Sequence, residues 1–264
     1  MARFKLTIEY AGTRYSGWQK QTNARTVQGE LERAIADASG RRDFECQGSG
    51  RTDAGVHALM QVAHLEIGST GPLESFRRRI NEALPPDINV LAVAKAPHRF
   101  HARHAATARS YLYQVARRRT AFAKPFVWWV KESLDITSMI AAAARFAGMH
   151  DFQSFSDDDP QEKSTRVLVD EVSVVEDGDL ILIRVVGSHF LWKMVRRMVG
   201  VLVEIGRGGL EIDHIEEFLQ APTGVPARLT APASGLFLER VFYEGDPRDL
   251  PLVPAVSVRR HTDP

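Results

Sequence analysis

The stretch Gly48-Ser49-Gly50-Arg51-Thr52-Asp53-Ala54-Gly55-Val56-His57-Ala58 holds the residues best suited to chemistry. Its three glycines mark backbone that turns tightly or that something else approaches closely. Asp53 sits inside that turn, two residues after Arg51. In extended backbone, side chains at i and i+2 share a face, so the Arg51 guanidinium is expected beside the Asp53 carboxylate. Such a neighbour favours the ionised carboxylate. An ionised aspartate on a rigid glycine loop can act as a nucleophile or a base. A turn aspartate in a surface ion pair is the competing reading.

Other chemistries find less support. A phosphate loop is not indicated, because Gly-Lys-Ser/Thr is absent and Asp53 stands where G-x-G-x-x-G needs its third glycine. Asp53-Ala54-Gly55 is similar to the aspartic-protease triplet but occurs once, so a protease would need a homodimer to build its dyad. No serine or cysteine nucleophile motif is present. Cys46 is the single cysteine, which rules out an intrachain disulfide and a cysteine zinc site. His98, His101 and His104 lack nearby carboxylate or cysteine partners and read as part of a basic strip rather than a metal site. Asp157, Asp158, Asp159 and Glu162 read as a solvated acidic turn.

The bulk properties are those of an ordinary globular chain. Of 264 residues, 44% are hydrophobic and 25% charged, with 34 Lys and Arg against 33 Asp and Glu. A net charge of +1 does not point to nucleic acid or membrane; only the distribution of charge can. No run approaches the ~20 apolar residues of a membrane span, and the first ten residues lack a signal-peptide core. With one cysteine, a soluble protein of the reducing cytoplasm is expected.

The distribution is uneven. Residues 88–131 contain no Asp or Glu but carry Lys95, Arg99, Arg103, Arg109, Arg117, Arg118, Arg119, Lys124 and Lys131. Residues 10–29 and 180–203 also lack acids, and the latter holds Arg184, Lys193, Arg196 and Arg197. Three such segments can converge as a phosphate-binding groove. Tyr15, Trp18, Phe100, Tyr111 and Tyr113 lie among them, which favours looped or single-stranded RNA, whose bases stack on rings.

The elements that would position Asp53 follow from periodicity. Phe4, Leu6, Ile8 and Tyr10 alternate with polar residues as a half-buried strand. Thr26 caps a helix with Val27, Leu31, Ile35 and Ala38 on one stripe. Strands at 44–47 and 60–67 flank the Asp53 loop. Pro72 opens a helix that Pro85-Pro86 stops, and a strand follows at 88–93. The order β-α-β-β-α-β is the ferredoxin-like unit. A second half repeats it without sequence similarity: strands at 110–116, 127–130, 167–175 and 180–186, the last two joined by Asp177-Gly178. Helices are expected after Asp135, at 190–205 and at 213–219, with a last strand at 236–243. The fold class is α+β, with halves at 1–104 and 105–245 and an irregular tail at 246–264.

The motifs resemble those of TruA-type tRNA pseudouridine synthases. The match runs through Tyr10-Ala11-Gly12-Thr13-Arg14-Tyr15-Ser16-Gly17-Trp18-Gln19, then Gly50-Arg51-Thr52-Asp53-Ala54-Gly55-Val56-His57-Ala58, then Arg109-Ser110-Tyr111-Leu112-Tyr113. Phe152-Gln153-Ser154-Phe155, Phe190 with Met194-Val195-Arg196, and Gly235-Leu236-Phe237-Leu238 follow in order. Leu191-Trp192-Lys193 and Arg197 depart from the commonest pattern. The resemblance implies two ferredoxin-like halves sharing one mixed, mostly antiparallel sheet with a central cleft. It also implies a homodimer that converts uridine to pseudouridine at positions 38, 39 and/or 40 of the tRNA anticodon stem-loop, with no metal or cofactor. By the same resemblance Asp53 is the nucleophile and Tyr111 meets the flipped base. Arg51 and Arg196 serve the carboxylate or phosphate, and Asp53 is the expected partner of Arg196. A non-catalytic tRNA-binding protein and a base-releasing glycosylase are the alternatives.

Overall fold

The structure, a computed structural model, describes residues 1–258. In chain order its elements are β1 (Ala2–Tyr10), α1 (Val27–Ser39), β2 (Glu45–Gly48), β3 (His57–Ile67), α2 (Leu73–Ala83), β4 (Ile88–Lys95), β5 (Ala108–Ala116) and β6 (Trp128–Trp129). There follow α3 (Ile136–Ala144), β7 (Gly148–Asp151), β8 (Arg166–Asp177), β9 (Leu180–Gly187), α4 (Met194–Gly206), α5 (His214–Gln220), α6 (Val225–Arg228) and β10 (Leu236–Phe242). They form two units, Met1–Thr107 with Leu238–Pro247, and Ala108–Phe237 with Arg248–Pro264, the last segment described to residue 258. None of the helices in the described residues is long and apolar enough to cross a membrane.

The first unit has the expected β-α-β-β-α-β order. In β1 the buried side chains are Phe4, Leu6, Ile8 and Tyr10, the alternation that one covered face demands. β1 runs antiparallel to β3 on one side and to β4 on the other, and β2 runs antiparallel to β3. The β1–β3 ladder is irregular between Ile8 and Tyr10, the end from which the Asp53 loop departs. Bulges at such places re-aim side chains. Thr26 accepts the Gly29 N–H at 3.3 Å as the helix cap, and α1 buries Val27, Leu31 and Ile35 while α2 buries Phe76 and Ile80.

Residues 238–245, expected in the second half, and residues 246–247, expected in the tail, belong with the first unit. The Tyr243 hydroxyl donates to the Ala102 carbonyl at 2.7 Å, and Lys5 lies 4.3 Å over the Tyr243 ring.

The second unit pairs β5 antiparallel with β9, β9 with β8 and β8 with β7, and β5 parallel with β6, so its sheet is mixed. β9 is buried along its whole length. The β8–β9 hairpin turns at Gly178, whose φ is 61°. Asp135 caps α3 by accepting from Thr137 and Ser138. Phe146, Phe152 and Phe155 are fully buried, with Phe146 edge-on to Phe155 at 5.4 Å. The Phe152-Gln153-Ser154-Phe155 motif is therefore a packing motif. β7 was not expected. Its burial alternates, with Gly148 and His150 half-buried and Met149 and Asp151 exposed, but the residue types run against that pattern because the apolar Met149 faces out.

Residues 246–258 form neither helix nor strand, yet they are tied down. Arg184, itself buried, donates to the Leu250 and Pro251 carbonyls at 2.8 and 2.9 Å, and Gln114 accepts the Ala255 N–H at 2.7 Å. Residues 259–264 of the expected tail lie outside the described residues.

Candidate active site

The Asp53 loop joins β2 to β3 and is bonded along its length. At its start, Ser49 donates its N–H to the Val62 carbonyl at 2.7 Å and its hydroxyl to Gln61, also at 2.7 Å. Gln61 then donates to the Gly50 carbonyl at 3.1 Å. Asp53 itself is half-buried and begins a turn that the Val56 N–H closes onto the Asp53 carbonyl at 3.2 Å. Gly55 stands third in that turn with φ of 81°, a value open to glycine and costly for a side chain.

A second loop, residues 11–19, backs the first. The Thr52 carbonyl accepts the Trp18 N–H at 3.0 Å, and the Gly55 N–H donates to the Tyr15 carbonyl at 3.3 Å. The Tyr10 and Thr52 hydroxyls share a buried hydrogen bond of 2.8 Å. The Gly12 N–H donates to Nδ1 of buried His57 at 2.9 Å, which puts the imidazole proton on Nε2. A Cβ on Gly12 would fall 1.9 Å from the Val56 carbonyl oxygen, so the two loops meet backbone to backbone. Gly48 likewise leaves room for the Trp18 indole, while Gly50 has open space beside it. Tyr15 donates its hydroxyl to Asp87; burial, then that carboxylate, hold its pKa far above the ordinary value. Asp53 is thus carried on two interlocked loops. Thr52 and His57, both within the matched motifs, do that work, and so does Trp18, which with Tyr15 is buried in this packing rather than open to stack on a base.

Arg51 does not take its expected place. Its exposed side chain donates from Nε to Gln19 at 3.1 Å, and it has no carboxylate partner among the described residues. The expectation assumed an isolated extended strand; the 11–19 loop supplies a competing amide oxygen.

In the second unit, Tyr111 lies on β5 opposite Val185 and is half-buried. Phe190 meets it edge-on, with ring centroids 5.1 Å apart and planes at 84°. This ring contact was not foreseen, though Phe190 was among the matched residues. Tyr113, two residues on, is fully buried and donates its hydroxyl to the Pro232 carbonyl at 2.8 Å. Only Tyr111 of the two leaves its ring partly uncovered. Arg109 donates to the Ser188 carbonyl at 2.9 Å.

Arg196 is half-buried in the first turn of α4 and donates from Nε to the Ala231 carbonyl at 2.7 Å, while the Ala231 N–H returns to the Arg196 carbonyl at 3.0 Å. Gly200 admits this approach, since a Cβ there would lie 1.8 Å from the Leu229 oxygen. The segment at 229–231 therefore fixes the Arg196 side chain along its stem.

The acidic turn is not simply solvated. Asp157 accepts from Lys193 at 2.6 Å and from Arg197, and Asp158 accepts from Lys163 and from the Trp192 N–H. Partial burial pushes the Asp157 carboxyl up, but the bonds and charges of Lys193 and Arg197 outweigh this and hold its pKa below the usual value. The basic segments are also partly consumed. Arg117 pairs with Glu176 and Arg118 with Asp179, acids from the β8–β9 hairpin. Arg14, Lys95, Arg99, Arg119, Lys124 and Lys131 are exposed with no acidic partner among the described residues. The His101 ring packs between those of His64 and His104, tilted to each, with centroids 4.5 and 4.3 Å away.

Comparison with known proteins agrees with this reading of the motifs. A family model described as tRNA pseudouridine synthase matches residues 6–104 and 142–244. The tRNA pseudouridine synthase A of Nitrobacter winogradskyi is 42% identical over 248 residues, covering 93% of this chain and 97% of that one. That of Pelobacter propionicus is 41% identical over 245 residues, covering 92% and 100%. The tRNA pseudouridine synthase A 2 of Clostridium tetani is 38% identical over 248 residues, again covering 92% and 100%. Similarity of this depth along both units makes the chain a member of the tRNA pseudouridine synthase family.

Proposed function

We propose that this chain isomerises uridine to pseudouridine in the anticodon stem-loop of tRNA, at one or more of positions 38, 39 and 40, with Asp53 as the nucleophile. The reaction breaks the bond from ribose C1′ to base N1, turns the base, and joins C1′ to C5. The C5 proton moves to N1, so atoms balance with no oxidant, hydride carrier or metal, and no cofactor is proposed. The protein must supply an ionised carboxylate, and a base out of its stack. Attack at C1′, attack at C6 and removal of the C2′ proton all place that demand on Asp53.

The observation that carries this reading is the construction of the Asp53 loop. Its backbone is bonded to Trp18 and Tyr15 on one side and to Val62 and Gln61 on the other, while the Asp53 side chain stays partly accessible. A binding module gains nothing from fixing one aspartate so firmly; an enzyme gains position. Tyr111 receives the flipped base on its uncovered ring surface. Arg196, held through Ala231, supplies charge to the carboxylate, and exposed Arg51 binds substrate phosphate. The enzyme acts as a homodimer in the cytoplasm.

The test is to incubate the protein with unmodified tRNA, map pseudouridine by carbodiimide-dependent primer-extension stops, and assay for free uracil. Stops at 38–40 without released base are expected, and Asp53→Asn should remove them while tRNA affinity stays within a few-fold. Released uracil would make the protein a glycosylase, and turnover by Asp53→Asn would end the role given to Asp53.

A further inference from the structure

The entry to α4 is not built like an ordinary helix start. Lys193, at the N-cap, has φ of 64°, the left-handed region, and is the only non-glycine residue with positive φ among the described residues. Its side chain makes no capping bond to the helix. A residue stays in that region when its surroundings over-determine it. Here they do. The Trp192 N–H donates to Asp158 at 3.0 Å, and the Trp192 carbonyl accepts the Asp157 N–H at 3.3 Å. The Asp157 carboxylate in turn takes Lys193 at 2.6 Å and the buried Arg197.

What this bracing displays is the Trp192 indole. The ring is 52% exposed, with the Lys193 ammonium 4.9 Å from its centroid. Two residues earlier in the chain, Phe190 meets Tyr111. A large aromatic ring held out to water on a fixed backbone has lost the stabilisation that burial would bring. Its neighbours Lys193, Asp157 and Asp158 are charged, which suits a flat nucleobase with polar edges better than an apolar protein surface.

We propose that Trp192 is a stacking platform for an unpaired base of the RNA substrate, adjacent in the loop to the uridine that Tyr111 receives. This rests on the isomerase reading above. Stacking on a ring is tolerant of base identity, so the platform would locate a loop nucleotide without reading its sequence. The Asp157–Lys193–Arg197 cluster positions it by fixing the backbone on either side of the indole. Because the ammonium of Lys193 is paired with Asp157, the ring and not the charge carries the contact.

The experiment measures binding of a labelled, unmodified anticodon stem-loop RNA by fluorescence anisotropy. Wild type, Trp192→Ala and Trp192→Phe are each titrated against the intact loop and against loops carrying a single abasic site at each position in turn. Trp192→Ala should bind the intact loop about 5- to 150-fold more weakly, from the roughly 1–3 kcal/mol typical of one stacked base. Trp192→Phe should recover most of that loss. At one abasic position, wild type and Trp192→Ala should bind equally. An unchanged affinity for Trp192→Ala would overturn the proposal, as would a loss that persists at every abasic position. Pseudouridine formation by wild type is followed separately. If it fails while the binding pattern holds, the isomerase reading falls and the platform stands.

Discussion

Replacing Gly12 by alanine tests whether the two interlocked loops set the position of Asp53. The new Cβ would lie 1.9 Å from the Val56 oxygen and 2.6 Å from its carbonyl carbon, both backbone atoms that no rotamer change can move. Reaching an ordinary contact requires the loops to part by at least about 1 Å, in keeping with close-packed interiors. That displacement takes the Gly12 N–H out of reach of His57 Nδ1, now 2.9 Å away, and leaves a buried donor and acceptor unmatched. The lost bond costs about 1–3 kcal/mol, and the overpacking about 1–3 kcal/mol more. For a chain of this size, at roughly 2–4 °C per kcal/mol, thermal unfolding should move down by about 5–20 °C. Val56 closes the turn on Asp53, so the carboxylate moves too, and a shift of ~1 Å at a reacting group can cost ~100-fold in rate. Gly50→Ala is the control from the same loop, because its Cβ would meet nothing within 4 Å. Differential scanning fluorimetry and single-turnover pseudouridine formation, read on both variants, decide the matter. A Gly12→Ala protein that melts and turns over like Gly50→Ala would refute the idea that loop 11–19 holds Asp53 in place.

Tyr111→Ala should weaken handling of the flipped base by roughly 1–3 kcal/mol, seen as a slower single-turnover rate at saturating protein; an unchanged rate would remove Tyr111 from the site. Asp157→Asn should destabilise the protein at neutral pH, because Asp157 has a lowered pKa and pairs with Lys193 and Arg197. A carboxylate whose folded pKa is depressed contributes stability above its unfolded value of ~3.9, and that contribution disappears as pH falls through the lower, folded value. The difference in melting temperature between wild type and Asp157→Asn should therefore be constant from neutral pH to about pH 5 and shrink below pH 4. A difference that widens on acidification would mean the pair is not what stabilises this loop.

Much of the framework was legible along the chain because its causes are local. The alternation in β1, the Thr26 and Asp135 caps and the Asp177-Gly178 turn each depend on a few neighbouring residues. The start of α4 was placed four residues early, since the apolar pattern continues back through Leu191 while Lys193 is held in the left-handed region by contacts with residues 157–158. β7 is not legible in the sequence because its one large apolar side chain, Met149, sits on the exposed face, so residue type does not follow its alternating burial.

The candidate site divides in the same way. Asp53, Tyr111 and Arg196 stand out by residue type and motif, and the glycines around Asp53 announce a constrained loop. Where each side chain turns was decided elsewhere. Arg51 reaches Gln19 from a loop thirty-two residues earlier, Arg196 is held by Ala231 from thirty-five residues later, and arginines in an acid-free stretch find Glu176 and Asp179. Residue types and their local spacing determine which elements form and which groups can do chemistry, because backbone preference and alternation act over a few residues. Which partner satisfies a given charge or amide is a contest among all groups that folding brings within ~3 Å, and only the tertiary structure assembles the contestants.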